Sequence, residues 1–203
     1  MRPVQPIILY GTKQSGHSHR AELMLRLLGL PFRFQAIDLA AGEHQTEGFR
    51  RMNPFATVPV IEDDGIVVAD SVAILVYLAG RYDAARIWLP ADPVTAAEVQ
   101  RWLSVAQGPL AFGPARARII RKFGGKYDLA AAQALADRLF AVLEAELAAR
   151  RFLVGETPTL ADVALYSYTA VAPEGGVALD PYPAIQAWLK RIEALPHFEG
   201  MPQ

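Results

Sequence analysis

The stretch that decides the fold is Asn53-Pro54-Phe55-Ala56-Thr57-Val58-Pro59-Val60-Ile61-Glu62-Asp63-Asp64-Gly65, which an apolar run then joins to Asp70-Ser71. Proline cannot donate to a strand ladder, so Pro59 must start a strand, lie at a sheet edge or follow a cis bond. Each arrangement leaves the backbone of Val58 free to pair with something other than protein. Asp70 and Ser71 open a helical pattern, and a helix N-terminus attracts anions such as carboxylates. Together these features suit a small peptide-like ligand.

The N-terminal part, up to Tyr82, alternates strand and helix signals. The pattern predicts strands over 7–10, 32–37, 58–62 and 66–69, and helices over 20–28, 46–52 and 71–81. A turn at Asp63-Asp64-Gly65 makes a hairpin of the last two strands. This order predicts a mixed sheet of about four strands with helices packed on it, which is a thioredoxin-like α/β plan.

After Tyr82 the strand signals stop, and only helical patterns follow. They cover 95–107, 128–150, 159–169 and 183–194, with breaks or kinks expected at Gly108-Pro109 and Gly113-Pro114. The apolar stripe of the second pattern is Leu135, Leu139, Val142, Leu143 and Leu147. We therefore expect an α/β domain over 1–83, a linker over 84–93 and an all-helical domain over 94–203.

Composition excludes several classes of function. The 203 residues include 20 Lys plus Arg against 21 acids, which argues against bulk electrostatic capture of nucleic acid or of anionic membranes. Charges interrupt every long apolar stretch, so we expect no segment that spans a bilayer. The first residues are too short and turn-bounded for a secretory signal, and a cytoplasmic location is the expectation.

The sequence contains no cysteine. This excludes a disulfide framework, a thiolate metal site and a redox pair of the chain's own thiols. If sulfur chemistry occurs, the sulfur comes with a ligand. A metal site at His17-Ser18-His19 is not favoured, because no third ligand stands at a suitable spacing. Gly124-Gly125 lies between helical patterns and does not form a phosphate loop.

Ser15 lies in the loop between the first strand and the first helix, where sheets of this kind place ligands. Its hydroxyl could donate a hydrogen bond to a ligand thiolate and gain from the helix N-terminus. One charge-assisted hydrogen bond, about 1.5–3 kcal/mol, lowers a thiol pKa of ~8.5 by about one to two units. Ser15 could instead simply cap the helix, with Ser18 as an equally good cap. Tyr10 is the rival hydroxyl, but it ends an apolar run and favours packing.

The run from Asn53 to Tyr77, with Gly42-Glu43-His44-Gln45 before it, resembles the thiol-peptide binding signature of the glutathione transferase superfamily. The order of the other segments fits as well, so the likeness covers nearly the whole chain. It is specific in the N-terminal half and much less so in the C-terminal half. The serine-type classes (theta-like and zeta-like) place a catalytic serine where this chain has Ser15.

The resemblance implies how the tripeptide glutathione binds. Ser71 and its backbone N–H would hold the γ-glutamyl carboxylate, and Asp70 the ammonium group. Val58, before a cis Pro59, would pair backbone to backbone with the cysteinyl unit. The other implied contacts are Thr57 and, for the glycyl carboxylate, His44 and Gln45. Read without the resemblance, Ser71 is a helix cap, Pro59 a trans edge proline and His44 a solvated loop residue.

The helical half offers a less specific set of candidates. Trp102, Phe112, Arg116 and Tyr166 could line a pocket for an electrophile, although large aromatic residues in helices more often form the core. The basic cluster Arg116, Arg118, Arg121, Lys122 and Lys126 favours a solvated face. Its sharper interpretation is a patch that steers anionic substrates. Thr159-Leu160-Ala161-Asp162 resembles the capping box of the family's core helix.

The resemblance implies an enzyme that uses glutathione as co-substrate, needs no metal, transfers the thiolate to a small electrophile and forms a homodimer. A glutathione-dependent isomerase or peroxidase is the alternative. The maleylacetoacetate-type isomerases carry Ser-Ser-Cys where this chain has Ser15-Gly16-His17, which weakens that reading. Two non-catalytic alternatives stay open, a carrier of hydrophobic ligands and a partner-docking module.

Overall fold

A computed structural model describes residues 2–202. Contacts divide the chain into two compact units, one that runs up to Arg86 and includes the segment from Pro196 onward, and one that spans Ile87–Leu195. The division differs from the predicted domains at the C-terminus. The terminal segment belongs to the first unit because Arg26 Nη1 pairs with Glu199 at 2.7 Å and His19 Nε2 lies 2.8 Å from the Glu199 carbonyl.

The first unit contains the predicted four-stranded mixed sheet. Its strands are β1 (Ile7–Gly11), β2 (Phe32–Ala36), β3 (Val60–Asp63) and β4 (Ile66–Ala69), in the order β2-β1-β3-β4. β1 is parallel to β2, and β3 is antiparallel to both β1 and β4. The parallel pair needs a crossover, which the first helix supplies. β3 begins two residues later than predicted, directly after Pro59.

Three α-helices complete this unit: α1 (Gly16–Leu27), α2 (Glu47–Met52) and α3 (Ser71–Tyr82). Sequence reasoning placed the start of α1 at Arg20, which was wrong. Ser15 caps the helix, and its Oγ accepts a hydrogen bond from the Ser18 N–H at 3.2 Å. Gly16 and the polar residues after it have weak helix propensity, which hid this first turn from pattern analysis.

The second unit is helical, as predicted. Its α-helices are α4 (Pro93–Gln107), α5 (Arg116–Phe123), α6 (Leu129–Ala149), α7 (Leu160–Ala170) and α8 (Pro183–Glu193). α7 is buried over almost its whole length and packs against α4 and α8. Within the residues described, no helix is both long enough and apolar enough to cross a membrane.

The two predicted interruptions differ in form. α4 ends at Gln107 with Gly108 as its C-cap, and Gly113-Pro114 lies in a π-helical turn over Ala111–Ala115 that leads directly into α5. α6 follows its predicted bounds, but one residue of its predicted apolar stripe is wrong. Val142 is exposed, whereas Leu139, Leu143 and Leu147 are buried. At about 100° per residue, Val142 lies one position round the helix from Leu143 and away from the core.

Asp162 is the polar centre of the helical unit. It is buried, and both of its carboxylate oxygens accept two hydrogen bonds each. Oδ1 accepts from the Leu153 N–H at 3.0 Å and from Trp188 Nε1 at 2.9 Å. Oδ2 accepts from the backbone N–H of Thr159 at 2.8 Å and from its hydroxyl at 3.2 Å, which completes the predicted capping box. Because every facing group is a donor, this position requires two acceptor oxygens.

We predict that Asp162→Asn lowers the free energy of unfolding by about 3 kcal/mol. The new amide nitrogen would face two buried donors and leave both without an acceptor. The matched control is Asp128→Asn at the exposed N-cap of α6, where Asn caps as well as Asp, and its effect stays within about 0.5 kcal/mol. Urea titrations of both variants measure this as a shift in midpoint at constant slope. Equal midpoints for the two variants would contradict the prediction.

Candidate active site

The strand register brings the predicted site residues to one end of the sheet. Val60 pairs with Tyr10 of β1 on one side and with Ala69 of β4 on the other. The residues just beyond these pairs are Pro59, Gly11 and Asp70. The loop to Ser15, the Val58-Pro59 segment and the start of α3 therefore meet at the same end of the sheet.

Val58 carries free main chain at this edge. The Val58–Pro59 peptide bond is cis, as the resemblance implied. Val58 lies outside β3, and in the described part of the chain no hydrogen bond involves its N–H or C=O. The neighbouring loop is fixed from the other side, because Asn53 Nδ2 donates to the carbonyl and hydroxyl oxygens of Thr57 at 2.7 and 3.0 Å. A peptide-like ligand could thus pair with Val58 without displacing a protein contact.

The structure shows that Ser15 caps α1. Its Oγ accepts from the Ser18 N–H, so it is the cap of α1, and its backbone N–H donates to the Thr12 carbonyl at 3.0 Å. Among the described residues, its hydroxyl proton donates to no group. Ser18 is not the cap, since its own Oγ accepts from the Thr12 N–H at 3.2 Å. A half-buried hydroxyl donor at the positive end of a helix is left for a ligand.

Tyr10, the rival hydroxyl, is already engaged. Its OH donates to Glu62 Oε2 at 3.1 Å. Burial raises the pKa of Tyr10, and the hydrogen bond to Glu62 and its negative charge raise it further. Stabilising a thiolate would require Tyr10 to give up this bond beside a carboxylate, so Ser15 is the better placed donor.

Asp70 is the cap of α3 and has an unusual backbone. Its Oδ1 accepts from the N–H groups of Val72 and Ala73 at 2.9 and 3.0 Å. Two of the N–H groups expected to attract a carboxylate are therefore already satisfied. Asp70 has φ +77° and ψ 129°, a conformation that costs a non-glycine residue about 1–3 kcal/mol and that clusters at ligand sites.

Two residues of α1 contact the Ser71 hydroxyl oxygen, and sequence analysis assigned neither of them to the site. Arg20 Nη1 donates to Ser71 Oγ at 2.9 Å, and His17 Nδ1 lies 3.2 Å from the same oxygen. Ser71 is 2% exposed and Arg20 fully buried. No local pattern signals this contact, because the partners are 51 and 54 residues apart in sequence. The Ser71 N–H is unpartnered among the described residues.

His17 is a neutral acceptor in this cluster. Burial lowers the pKa of His17 to about 3, and the charge of Arg20 lowers it in the same direction. Arg20 Nη1 lies 3.4 Å from His17 Nδ1, and a donor at that place requires Nδ1 to be unprotonated. The Ser71 hydroxyl can therefore donate either to His17 or to a ligand, while its oxygen accepts from Arg20.

The two predicted glycyl-carboxylate contacts lie in a 3-10 turn over Glu43–Gln45. Gln45 is engaged with Arg50, whose Nη2 donates to the Gln45 side-chain oxygen at 2.7 Å. His44 Nε2 faces Gln45 Nε2 at 3.1 Å, and its buried Nδ1 has no hydrogen-bond partner within residues 2–202. Gln45 is thus largely engaged within the protein, and the His44 nitrogen that lacks a partner is enclosed by protein atoms.

The predicted electrophile-pocket residues divide into two groups. Trp102 and Tyr166 are buried in the helical unit, and the Tyr166 hydroxyl donates to Glu193 Oε1 at 3.1 Å. Their rings pack in the core and offer little surface to a ligand. Phe112 lies within the π-helical turn and is exposed, Arg116 follows the turn and is half-buried, and the Arg116 guanidinium stacks on the Phe112 ring at 4.4 Å.

Comparison with known proteins identifies the family of the chain. The family model described as "Glutathione S-transferase, N-terminal domain" matches residues 14–81, and "Glutathione S-transferase, C-terminal domain" matches residues 108–196. Maize glutathione S-transferase 3 is 31% identical over 96% of this chain and 92% of its own length. Mouse maleylacetoacetate isomerase is 33% identical over 95% of this chain and 90% of its own length.

A solved structure is similar over the full length. The crystal structure of a glutathione S-transferase from Pseudomonas fluorescens Pf-5 superposes with a TM-score of 0.92 and 36% identity, and the match covers 98% of this chain and 100% of that one. The chain belongs to the glutathione S-transferase superfamily, whose enzymes use glutathione as co-substrate.

We predict that His17 makes stability depend on acid. The unfolded chain binds a proton at His17 below about pH 6.5, whereas the folded chain does so only near pH 3. Its contribution to stability is therefore present above pH 6.5 and is lost as the pH falls, by about 2 kcal/mol between pH 7 and pH 5.

Urea titrations at pH 7 and pH 5 test this with the variant His17→Asn. Between these pH values its free energy of unfolding should fall by about 2 kcal/mol less than that of the parent. His197→Asn, the same change at an exposed histidine of the same unit, should match the parent. If His17→Asn and the parent lose the same stability, His17 is not a neutral buried acceptor.

Proposed function

We propose that this protein transfers the thiolate of glutathione to small, hydrophobic electrophiles, with Ser15 as the residue that stabilises the thiolate. The observation that carries the proposal is that, in the part of the chain that the structure describes, the Ser15 hydroxyl proton at the cap of α1 and the nearby main chain of Val58 have no hydrogen-bond partner. The absence of cysteine means that the reacting sulfur must belong to the ligand.

The site suits the shape and charge of a γ-linked tripeptide. The cysteinyl unit pairs with the backbone of Val58. The γ-glutamyl carboxylate receives the N–H and hydroxyl of Ser71, whose oxygen is polarised by Arg20, while Asp70 receives the ammonium group. Of the two residues implied for the glycyl carboxylate, His44 is less engaged than Gln45. Two helix N-termini, those of α1 and α3, begin at this edge and favour the negative charges of the ligand.

Ser15 makes the bound thiol reactive at neutral pH. A hydrogen bond from its hydroxyl to the sulfur anion contributes about 1.5–3 kcal/mol and lowers the thiol pKa by about one to two units. The thiol proton leaves to solvent. The thiolate then attacks an electrophilic carbon, the new C–S bond takes the sulfur electron pair, and the leaving group departs with the pair of its own bond. Charge stabilisation placed in advance is the catalytic device.

The likeness to mouse maleylacetoacetate isomerase supports a second candidate, glutathione-dependent isomerisation. In that case the thiolate would add to a conjugated double bond and be expelled after rotation, so glutathione would be regenerated. His17 stands where that branch carries cysteine, and its ring contacts Ser71. Stoichiometric loss of free thiol during turnover supports transfer, and constant thiol with product formation supports isomerisation. The homodimer stays a prediction of the resemblance.

We expect substitutions of Ser15 to separate its capping and donor roles. Ser15→Asp keeps the cap but cannot donate, Ser15→Ala loses both and Ser15→Thr keeps both. The pKa of bound glutathione, followed by ultraviolet absorbance of the thiolate, should rise by about one to two units in the Asp and Ala variants, and turnover at neutral pH should fall about tenfold or more. Tyr10→Phe should retain the low thiol pKa. The reverse pattern would assign the role to Tyr10.

We expect Ser71→Ala to weaken glutathione binding and leave chemistry intact. Loss of one hydrogen bond to a charged group raises KM for glutathione about tenfold, while kcat stays within about twofold. The control is Ser104→Ala, which removes an exposed hydroxyl that donates to the Gln100 carbonyl in the other unit. A fall in kcat at unchanged KM would show that Ser71 does not bind the tripeptide.

A further inference from the structure

The loop that carries Ser15 is a tight turn tied to α1. We call the residues from Thr12 to Ser15 the Ser15 turn, which is closed by a hydrogen bond from the Ser15 N–H to the Thr12 carbonyl at 3.0 Å. Both ends meet Ser18, because its Oγ accepts from the Thr12 N–H and its N–H donates to Ser15 Oγ, each at 3.2 Å. The first turn of the helix thus fixes the two ends of the Ser15 turn.

A separate contact fixes the corner of the Ser15 turn. Lys13 lies at this corner, and its Nζ donates to both carboxylate oxygens of Glu22 at 2.8 Å. The same ammonium group lies 4.1 Å from the centroid of the Phe34 ring on β2. Lys13 is therefore held between an anion and an aromatic face, two residues before Ser15.

Glu22 is a buried acid that joins two cations. It is 5% exposed, and its Oε1 also accepts from Arg26 Nη2 at 2.8 Å. Burial raises the pKa of Glu22, but the hydrogen bonds from Lys13 and Arg26 and their positive charges hold that pKa below its usual range. The carboxylate is therefore charged at neutral pH, and its removal would leave two cations without their shared anion.

A distant segment of the chain extends this series of charges. Arg26 Nη1 pairs with Glu199 at 2.7 Å, and the Glu199 carbonyl accepts a hydrogen bond from His19 Nε2 of α1 at 2.8 Å. The side chains of Lys13, Glu22, Arg26 and Glu199 alternate in charge, and we call these four residues the Glu22 cluster. The cluster connects the segment after Pro196 to the corner of the Ser15 turn.

The Ser15 turn and this terminal segment face each other across an open cleft. The cleft has a volume of about 440 Å³, and its lining includes Lys13 and Gln14 on one side and Glu199, Gly200 and Pro202 on the other. Because this side of the turn faces a cleft rather than packed atoms, its corner depends on the contacts of Lys13. A change at Glu199 can therefore reach the turn through ion pairs alone.

We propose that Glu22 and Glu199 are positioning residues for Ser15: they hold the corner of the Ser15 turn through Lys13, and so keep the Ser15 hydroxyl in the orientation that stabilises a bound thiolate. A hydrogen bond weakens steeply as its angle bends, so a small movement of the turn is sufficient to weaken this donor. The inference rests on the proposed function for its effect on the thiol and on the first unit alone for its geometry.

The direction of the effect distinguishes positioning from direct electrostatics. Glu22→Gln and Glu199→Gln each remove a negative charge from the unit that carries Ser15. Direct electrostatics would then lower the thiol pKa of bound glutathione, because the thiolate meets less repulsion. Loss of positioning would raise the same pKa, because the Ser15 hydroxyl donates less well. A rise in the thiol pKa on removal of an acid therefore indicates positioning.

We expect Glu22→Gln to raise the thiol pKa of bound glutathione by about one unit and to lower kcat at neutral pH about fivefold, with KM for glutathione within about twofold. Glu199→Gln should act in the same direction with about half the pKa change, because Arg26 keeps its pair with Glu22. The control is Glu47→Gln, which removes an exposed acid paired with Arg51 at 2.7 Å in the same unit and should change neither quantity. A thiol pKa that falls or stays constant in Glu22→Gln overturns the inference and leaves the transferase function standing.

Amide hydrogen exchange without glutathione tests the turn itself. The N–H groups of Ser15 and Ser18 donate to the Thr12 carbonyl and to Ser15 Oγ, so their exchange reports the opening of the turn. Exchange at Leu9, at the buried centre of β1, reports the unfolding of the whole unit. We expect Glu22→Gln to quicken exchange at Ser15 and Ser18 about tenfold relative to Leu9, and the Glu47→Gln control to leave this ratio within about twofold.

A second variant covers the case in which Glu22→Gln does not fold. Lys13→Met keeps an apolar side chain against Phe34 and removes the ion pair, so it should quicken the same exchange, while Glu199→Gln carries the thiol pKa measurement. Unchanged relative exchange at Ser15 and Ser18 in the variant that folds overturns the inference. Faster exchange there in a protein that turns over no electrophile supports the hold on the turn, and in that case the proposed function fails alone.

Discussion

The hydrogen bond from the buried Arg20 guanidinium to the Ser71 hydroxyl is the contact on which the site depends. Placing a cation away from water is costly unless polar groups meet it. Here it joins the N-terminal half of α1 to the first residue of α3, and these helices leave the sheet from β1 and β4. Since β3 pairs with both strands, fixing these two helix starts to each other fixes the sheet edge that carries Ser15, Val58 and Asp70.

In the proposed function, this end of the sheet binds glutathione mainly through backbone groups and helix N-termini. Within residues 2–202, the Val58 main chain, the Ser15 hydroxyl proton and the Ser71 N–H have no hydrogen-bond partner. Each contact is worth only about 1–3 kcal/mol, but all of them act on one small region whose field favours negative charge. A protein without cysteine needs little more than this for thiol chemistry, because it has only to bind a thiol ligand and favour its anion.

Much of the fold was open to sequence reasoning because its signals are local. The four strands, the Asp63-Asp64-Gly65 turn and the Thr159–Asp162 capping box follow from alternation, turn residues and caps, and the structure has them. Errors arose where the local signal was weak, or where the residues next to a position suggested the wrong environment for it. The first turn of α1 was missed because Gly16 and the polar residues after it have weak helix propensity. Val142 was assigned to the core of α6 because a stripe of leucines surrounds it, although it faces solvent.

The sequence by itself determined which chemistry is possible: a proline at a strand mouth, an acid-hydroxyl pair at a helix start, a loop serine and no thiol. Only the tertiary structure decided which groups act together. Arg20 and His17 reach Ser71 across more than fifty residues, Glu199 pairs with Arg26 of α1, and Trp102 and Tyr166 are enclosed by helices. The physical reason is that propensity and capping act over a few residues, whereas burial and long-range hydrogen bonds exist only once distant segments have packed.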